Sequence, residues 1–210
     1  MKFYSVKEIF LTIQGEGAHA GRVSVFCRFT GCNLWSGREK DRSSAKCRFC
    51  DTDFVSIDGT KGGSYTSETL ANAILSEWIG GKDNRYCVLT GGEPLLQVDT
   101  PLIDALHKRD FKIAIETNGT IKAPEGIDWI CVSPKEGCDL KIKTGNELKL
   151  VFPQINAHPD NYSMFDFDRY SLQPMDGSDL AKNTNLTIEY CSKNPKWRVS
   201  IQMHKLIGVR

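Results

Sequence analysis

Short runs of β-branched and aromatic residues alternate with longer amphipathic stretches along most of this chain, and no other feature limits its fold so strongly. Near-continuous apolar strands such as "VSVFCRF" suit a parallel sheet covered on its faces, and parallel neighbours need crossover connections, usually helices. The pattern predicts an α/β architecture with strands at Val23–Thr30, Tyr86–Thr90, Lys112–Thr117, Trp129–Ser133, Glu147–Phe152, Tyr170–Gln173 and Arg198–Gln202. Helices are expected at Ser67–Trp78, where Leu70, Ile74 and Trp78 recur at helical spacing, and at Thr100–Arg109, with Pro101 in the first turn. A third is expected at Ser178–Lys193, with Leu180, Leu186 and Tyr190 toward the sheet, while Asp51–Ser64 reads as loop. No repeat, low-complexity tract or linker interrupts the pattern, so residues 1–210 are read as one domain.

Composition narrows the function. Lys and Arg total 27 against 26 Asp and Glu, which leaves no global field to draw the chain to nucleic acid or a membrane surface. The opening "MKFYSVKEIFLTIQGEG" carries charges within its apolar portion, unlike a secretory signal, and no stretch approaches the roughly 20 apolar residues of a membrane span. A cytoplasmic location is expected. In a reducing compartment the eight cysteines are thiols or metal ligands rather than bridges.

Three of those cysteines stand together. Cys47 and Cys50 form a C-x2-C pair, and Cys32 lies upstream of it with fourteen residues between. A structural zinc site would need a fourth ligand, for which Cys27 is the nearest candidate, but Cys27 sits in an apolar strand where free cysteine behaves as a small buried hydrophobe. A [4Fe-4S] cluster held through Cys32, Cys47 and Cys50 would leave one iron open to a small molecule. Downstream, "VLTGGEP" at 88–94 ends an apolar strand in Thr90, followed by Gly91 and Gly92, whose missing side chains permit close approach to the main chain. Alone, that tetrad could be a turn. "ETNG" at 116–119, "VSPK" at 132–135 and "QPMDG" at 173–177 each follow an expected strand. Each could be a cap or turn, but their shared position gathers polar groups at one rim of the sheet, where α/β folds bind ligands.

"CRFC" together with "GGEP" resembles the radical S-adenosylmethionine superfamily, whose cysteine and GGE motifs hold cluster and cofactor. The resemblance implies a partial, modified (β/α) barrel, S-adenosylmethionine on the open iron, and a 5′-deoxyadenosyl radical formed by reductive cleavage of a carbon–sulfur bond. Most members have three residues between the first two cysteines; here there are fourteen. That departure, with "TIQGEG", "FCRFTGCNLW", "CDTDF" and "QMHK", resembles the 7-carboxy-7-deazaguanine synthase family from near residue 7 to the last strand.

The family resemblance implies conversion of 6-carboxy-5,6,7,8-tetrahydropterin into 7-carboxy-7-deazaguanine and ammonia by radical ring contraction, in queuosine and 7-deazapurine biosynthesis, with Mg²⁺ assisting. Positions matching the family's cofactor contacts are Phe49, Cys50, Asp51, Gly92, Ser133, Pro134, Lys135, Gln173, Pro174, Met175 and Asp176. Ile13, Gln14, Gly15, Glu16, Arg28, Thr90 and Arg210 match substrate contacts. Glu16 and Gln14 offer acceptors for the pterin's amino and ring N–H groups, although "QGEG" alone reads as a polar turn. Arg28 has the fork to hold a carboxylate, or equally to form a surface ion pair. Thr52 carries a hard oxygen suited to Mg²⁺, a role raised above an ordinary loop residue only by the family's CDT pattern. His204 stays outside the expected sites, since a lone histidine is more often structural. A homodimer and a flavodoxin or ferredoxin as electron donor are also implied. Two other readings are weaker. A glycyl-radical activase is disfavoured by the wide cysteine gap, and a non-catalytic zinc module by the near-zero net charge and the "GGEP" rim.

Overall fold

Successive side chains of a strand point to opposite faces, so the alternation inside each apolar run decides what each face of the sheet carries. In the computed structural model, which describes residues 2–210, the strands are β1 (Tyr4–Ile13), β2 (Val23–Phe29), β3 (Gly63–Tyr65), β4 (Tyr86–Gly91), β5 (Lys112–Thr117), β6 (Trp129–Val132), β7 (Thr144–Phe152), β8 (Asp166–Pro174) and β9 (Trp197–Val199). They form one nine-stranded sheet in the order β3-β1-β2-β4-β5-β6-β7-β8-β9. β1 runs antiparallel to β2 and β3, and every pair from β2 to β9 is parallel. The end strands β3 and β9 do not pair with each other. The turn after β1 nevertheless reaches across to β7, where Ala18 N–H donates to Glu147 at 3.0 Å, so the sheet curls into an unclosed barrel.

The helices α1 (Ser67–Glu77), α2 (Thr100–His107), α3 (Leu180–Lys193) and α4 (Met203–Ile207) complete the chain. Thr66 caps α1 in a reciprocal pair with Thr69, and the Asp99 carboxylate accepts from the Leu102 N–H at the start of α2. Leu70 and Ile74 of α1, and Leu102, Ile103 and Leu106 of α2, share one core with Cys27, Phe29, Cys87, Leu89, Ile113 and Ile115. The intervening strand residues point the other way. Tyr86, Val88 and Ala114 form a separate small cluster inside the barrel, and beside them Glu116, Glu147, Lys149, Ser171 and Gln173 give this inner face a polar lining. Among the described residues no helix is long and apolar enough to cross a membrane.

Three expectations change. β1 was not expected as a strand, because Lys7 and Glu8 break its apolar run; both are 8% exposed and neutralised in place, Lys7 by Asp53 at 2.8 Å and Asp58 at 2.6 Å, Glu8 by Arg28 at 3.0 Å. The phase of the third helix also shifts. Its buried residues are Asn183, Thr187 and Cys191, whereas Leu180 and Leu186 are exposed. Polar burial is tolerated because Asn183 Nδ2 donates to the Met175 carbonyl at 2.9 Å and Thr187 Oγ1 to the Asn183 carbonyl at 2.7 Å. Finally, the expected strand at Arg198–Gln202 is the shorter β9, and Gln202 instead leads into α4.

Candidate active site

The carboxyl ends of the parallel strands open on a cavity of about 340 Å³. Cys32, Cys47 and Cys50 all line it, and of the eight cysteines these alone do so. Local packing explains how a fourteen-residue gap still brings Cys32 to the C-x2-C turn. Lys46 and Cys47 N–H groups both donate to the Leu34 carbonyl, at 3.1 and 3.4 Å, which closes the insertion into a loop. Trp35 is buried at its base, edge-on to Phe54 at 5.6 Å, and the Arg42 guanidinium lies 4.1 Å over the indole. Arg42 also donates to the carbonyls of Arg48 and Cys50, at 2.9 and 3.1 Å, tying the insertion to the C-x2-C turn.

The thiols are not equivalent. The hydrogen bond from Cys47, with the Thr52 backbone and Lys135, outweighs burial and brings Cys50 down to about 6, while Cys47 is pushed up by that same bond and by burial. Burial likewise raises Cys32, although the Leu34 N–H donates to its sulfur at 3.4 Å. Among the described residues no three His, Cys, Asp or Glu side chains are arranged to hold one metal ion. A lone zinc draws each sulfur to about 2.3 Å, whereas a four-iron cube spaces its thiolates more widely. Three thiols on one cavity wall are the kind of donor set a [4Fe-4S] cluster takes, and Cys32, Cys47 and Cys50 would hold it there.

Beside the thiols, Gly91 lies at φ +118°, and a Cβ on Gly92 would stand 1.9 Å from the Gly31 carbonyl oxygen, so the two glycines let the β4 and β2 ends meet. Glu93 of the same motif does not line the cavity. It is fully buried and accepts from Thr117 Oγ1 at 2.7 Å, Asn118 N–H at 2.8 Å and Leu95 N–H at 3.0 Å, pinning β4 to β5; burial raises its pKa.

The inner wall is a charged network on strands. Lys149 Nζ lies 2.6 Å from Glu16 and 3.3 Å from Glu116. Glu16 also accepts from Gln202 at 2.9 Å and Gln173 at 3.1 Å, and Gln14 donates to Glu116 at 2.9 Å. Burial pushes the Glu16 pKa up, but Lys149 and the two amides overcome it and hold the carboxyl at about 2. Burial pushes Lys149 toward the neutral form; Glu116 and Glu16 reverse that and raise it well above the usual lysine value.

The C-terminal segment roofs the chamber. Met203 N–H donates to the Gly15 carbonyl at 2.8 Å, and Gly15 must lack a side chain because a Cβ there would meet His204 Nδ1 at 2.1 Å. Lys205 bridges Asp51 at 2.9 Å and Asp176 at 2.6 Å, while Arg210 pairs with Glu8 and lies 4.8 Å over the Phe10 ring.

Of the residues singled out from sequence, all but one line this cavity. Pro134 does not; it is buried, and its carbonyl accepts from Gln154 at 3.3 Å. Several of the others engage protein partners here: Arg28 with Glu8, Glu16 with Lys149, and Lys135 with Ser133 Oγ at 2.7 Å. Glu116, at the head of the "ETNG" rim segment, lines the cavity as well, and so do Lys149, His204 and Lys205, none of them among the expected contact residues. A usable signal existed for two of them: "KIAIET" and "ELKLVF" place Glu116 and Lys149 opposite the buried Ile and Leu of the same strands.

No protein-family model matches the chain. Among curated proteins it is 64% identical to the 7-carboxy-7-deazaguanine synthase of Bradyrhizobium diazoefficiens over 99% of both chains, and 59% identical to that of Caulobacter vibrioides over 98% of this chain and 99% of the other. The synthase of Bacteroides thetaiotaomicron is 38% identical over 98% of both. Among solved structures, QueE from Escherichia coli superposes with a TM-score of 0.73 at 28% identity, covering 96% of this chain and 95% of that one.

Proposed function

Because the chain belongs to the 7-carboxy-7-deazaguanine synthase family, we infer that it converts 6-carboxy-5,6,7,8-tetrahydropterin into 7-carboxy-7-deazaguanine and ammonia. It is a lyase of the radical S-adenosylmethionine type. The observation that carries the reading is that three thiols, the Gly91–Gly92 turn and the Glu16–Lys149–Glu116 network face one chamber at one rim of the sheet. When bound there, the [4Fe-4S] cluster and S-adenosylmethionine together supply a radical able to remove an unactivated hydrogen atom.

The chain's own residues would do the rest. Cys32, Cys47 and Cys50 hold the cluster. Gly92, Phe49, Asp51, Ser133 to Lys135 and Gln173 to Asp176 surround the cofactor. In this set Pro134 contributes by fixing the backbone between its neighbours. Glu16 and Gln14 meet the pterin's N–H edge; Glu16 stays ionised and therefore an acceptor throughout the neutral range. Arg28 exchanges Glu8 for the substrate carboxylate, and Ile13, Gly15, Thr90 and Arg210 complete the substrate side. Thr52 offers an oxygen to Mg²⁺ beside substrate oxygens. The roof at Lys205 would exclude water while the substrate is bound.

Beyond the site, we propose a cytoplasmic homodimer reduced by a flavodoxin or ferredoxin. Arg38, Lys40, Lys46 and Arg48 are exposed on the cysteine-bearing loop, a surface suited to an acidic electron donor. The deciding experiment is an anaerobic assay of reconstituted protein with carboxytetrahydropterin, S-adenosylmethionine and reductant, reading product by mass. The deazapurine and ammonia should appear together. An intact cluster that yields neither would reject the substrate assignment.

A further inference from the structure

Beneath the charged network lies a second cavity, of about 10 Å³, which shares Glu16, Glu116 and Lys149 with the chamber above. Roughly 10–15 Å³ holds one water-sized molecule. Its far wall is Tyr86, Glu147 and His19, the last carried on the turn after β1 that plugs the barrel and packed edge-on against Trp129 at 4.2 Å. Tyr86 is 2% exposed, and its hydroxyl has no protein partner. His19 Nε2 is buried and unpartnered as well.

The lining is rich in acceptors. Glu16 and Glu116 pair with the Lys149 ammonium while Glu147 accepts from Ala18 N–H and Ser171 Oγ, so even with Arg22, stacked 3.6 Å over the Tyr86 ring, the three carboxylates outnumber the two cationic groups. Burial, reinforced by Arg22, lowers the His19 pKa and favours a neutral ring, whose Nε2 can accept an N–H when Nδ1 carries the proton. A neutral water would leave the surplus negative charge uncompensated and could donate only two hydrogen bonds. A tetrahedral cation with four N–H donors matches the size, the charge and the acceptors together.

We propose that this lower cavity is an ammonium site, a station for the nitrogen released in the chamber above it. The assignment of the released nitrogen rests on the proposed reaction; the cation site does not. The guest leaves the pterin as ammonia and is protonated to ammonium by water, the hydroxide so formed being neutralised by bulk buffer; the two cavities share Glu16, Glu116 and Lys149, and no bond to the protein is made.

The test uses crystals of the protein grown without ammonium salts and soaked in rubidium chloride, whose cation resembles ammonium in size and scatters anomalously. An anomalous peak is expected beside Tyr86 Oη and Glu147, falling at least twofold when equimolar ammonium chloride is added and weakening in Tyr86→Phe. No peak in the cavity, a peak that ammonium does not displace, or a well-ordered water in its place under rubidium would each overturn the proposal. These arms need no cofactor or turnover. If the rubidium site stands while the anaerobic assay yields no deazapurine, the cation site survives and only its link to the reaction falls.

Discussion

The two walls of the chamber are built by opposite means. The cysteine wall is a loop, residues 31 to 54, closed by a few backbone hydrogen bonds and one Trp35–Arg42 stack. The inner wall is carried largely on strands in the middle of the sheet, where Lys149 is 4% exposed and every charged neighbour is already hydrogen-bonded. The difference teaches that one wall is completed by what it binds, whereas the other exists before anything binds. Preorganised charge suits recognition of a fixed pattern of N–H donors. A loop whose thiols carry unequal proton affinities suits ligands that displace those protons.

The largest effect that should separate the walls comes from the thiols. Replacing Cys32, Cys47 or Cys50 by Ala should abolish turnover and strip iron and sulfide from anaerobically purified brown protein, yet leave the far-ultraviolet dichroism of the barrel nearly unchanged. Loss of the barrel signal would mean the loop is part of the folding core. Lys149→Ala should act the other way, destabilising the protein by about 3–5 kcal/mol in urea titration, because it strands Glu16 and Glu116 without their shared cation. A smaller cost would show that water reaches the wall.

Acid sharpens the contrast further. The Glu16 carboxyl, ordinarily near 4.5, is held at about 2 in the folded chain, so its contribution to stability is fully present above pH 4.5 and lost as pH falls through 2. The wild-type melting temperature should therefore drop more steeply between pH 5 and 2 than that of Glu16→Gln; parallel curves would remove Glu16 as the cause. Thr52→Ala should lower turnover a few-fold and shrink the gain from added Mg²⁺ with no change in melting, and an unaltered Mg²⁺ response would take Thr52 out of the site. The smallest effect belongs to Lys205→Ala. Its partners are exposed, so stability should change by about 0–1 kcal/mol, while the KM for S-adenosylmethionine rises. An unchanged KM would reduce the bridge to decoration of the surface.

The parallel sheet was legible in the sequence because apolar runs such as "YCVLT" must be buried on both faces, and the helices at Ser67 and Thr100 because their apolar periodicity and caps agree. β1 was hidden because charge in a strand reads as exposure until the partner is known; the partners of Lys7 lie some fifty residues away. α3 misled for the complementary reason, since its polar residues find backbone acceptors and donors that no local pattern discloses. The site's vocabulary was readable as motifs, but its grammar was not. That Gln173 and Gln202 would meet Glu16, or that Glu93 would serve as a staple between strands, depends on chain segments far apart in sequence.

The roof has one more consequence, for the order of assembly. Thr12 bonds the Arg210 carbonyl across 198 positions, and Met203 docks on Gly15. Contacts of that span close late, after the loop entropy between them has been spent. The two ends of the chain are thus brought together over the mouth of the chamber, so the wall that covers it depends on contacts spanning nearly the whole sequence.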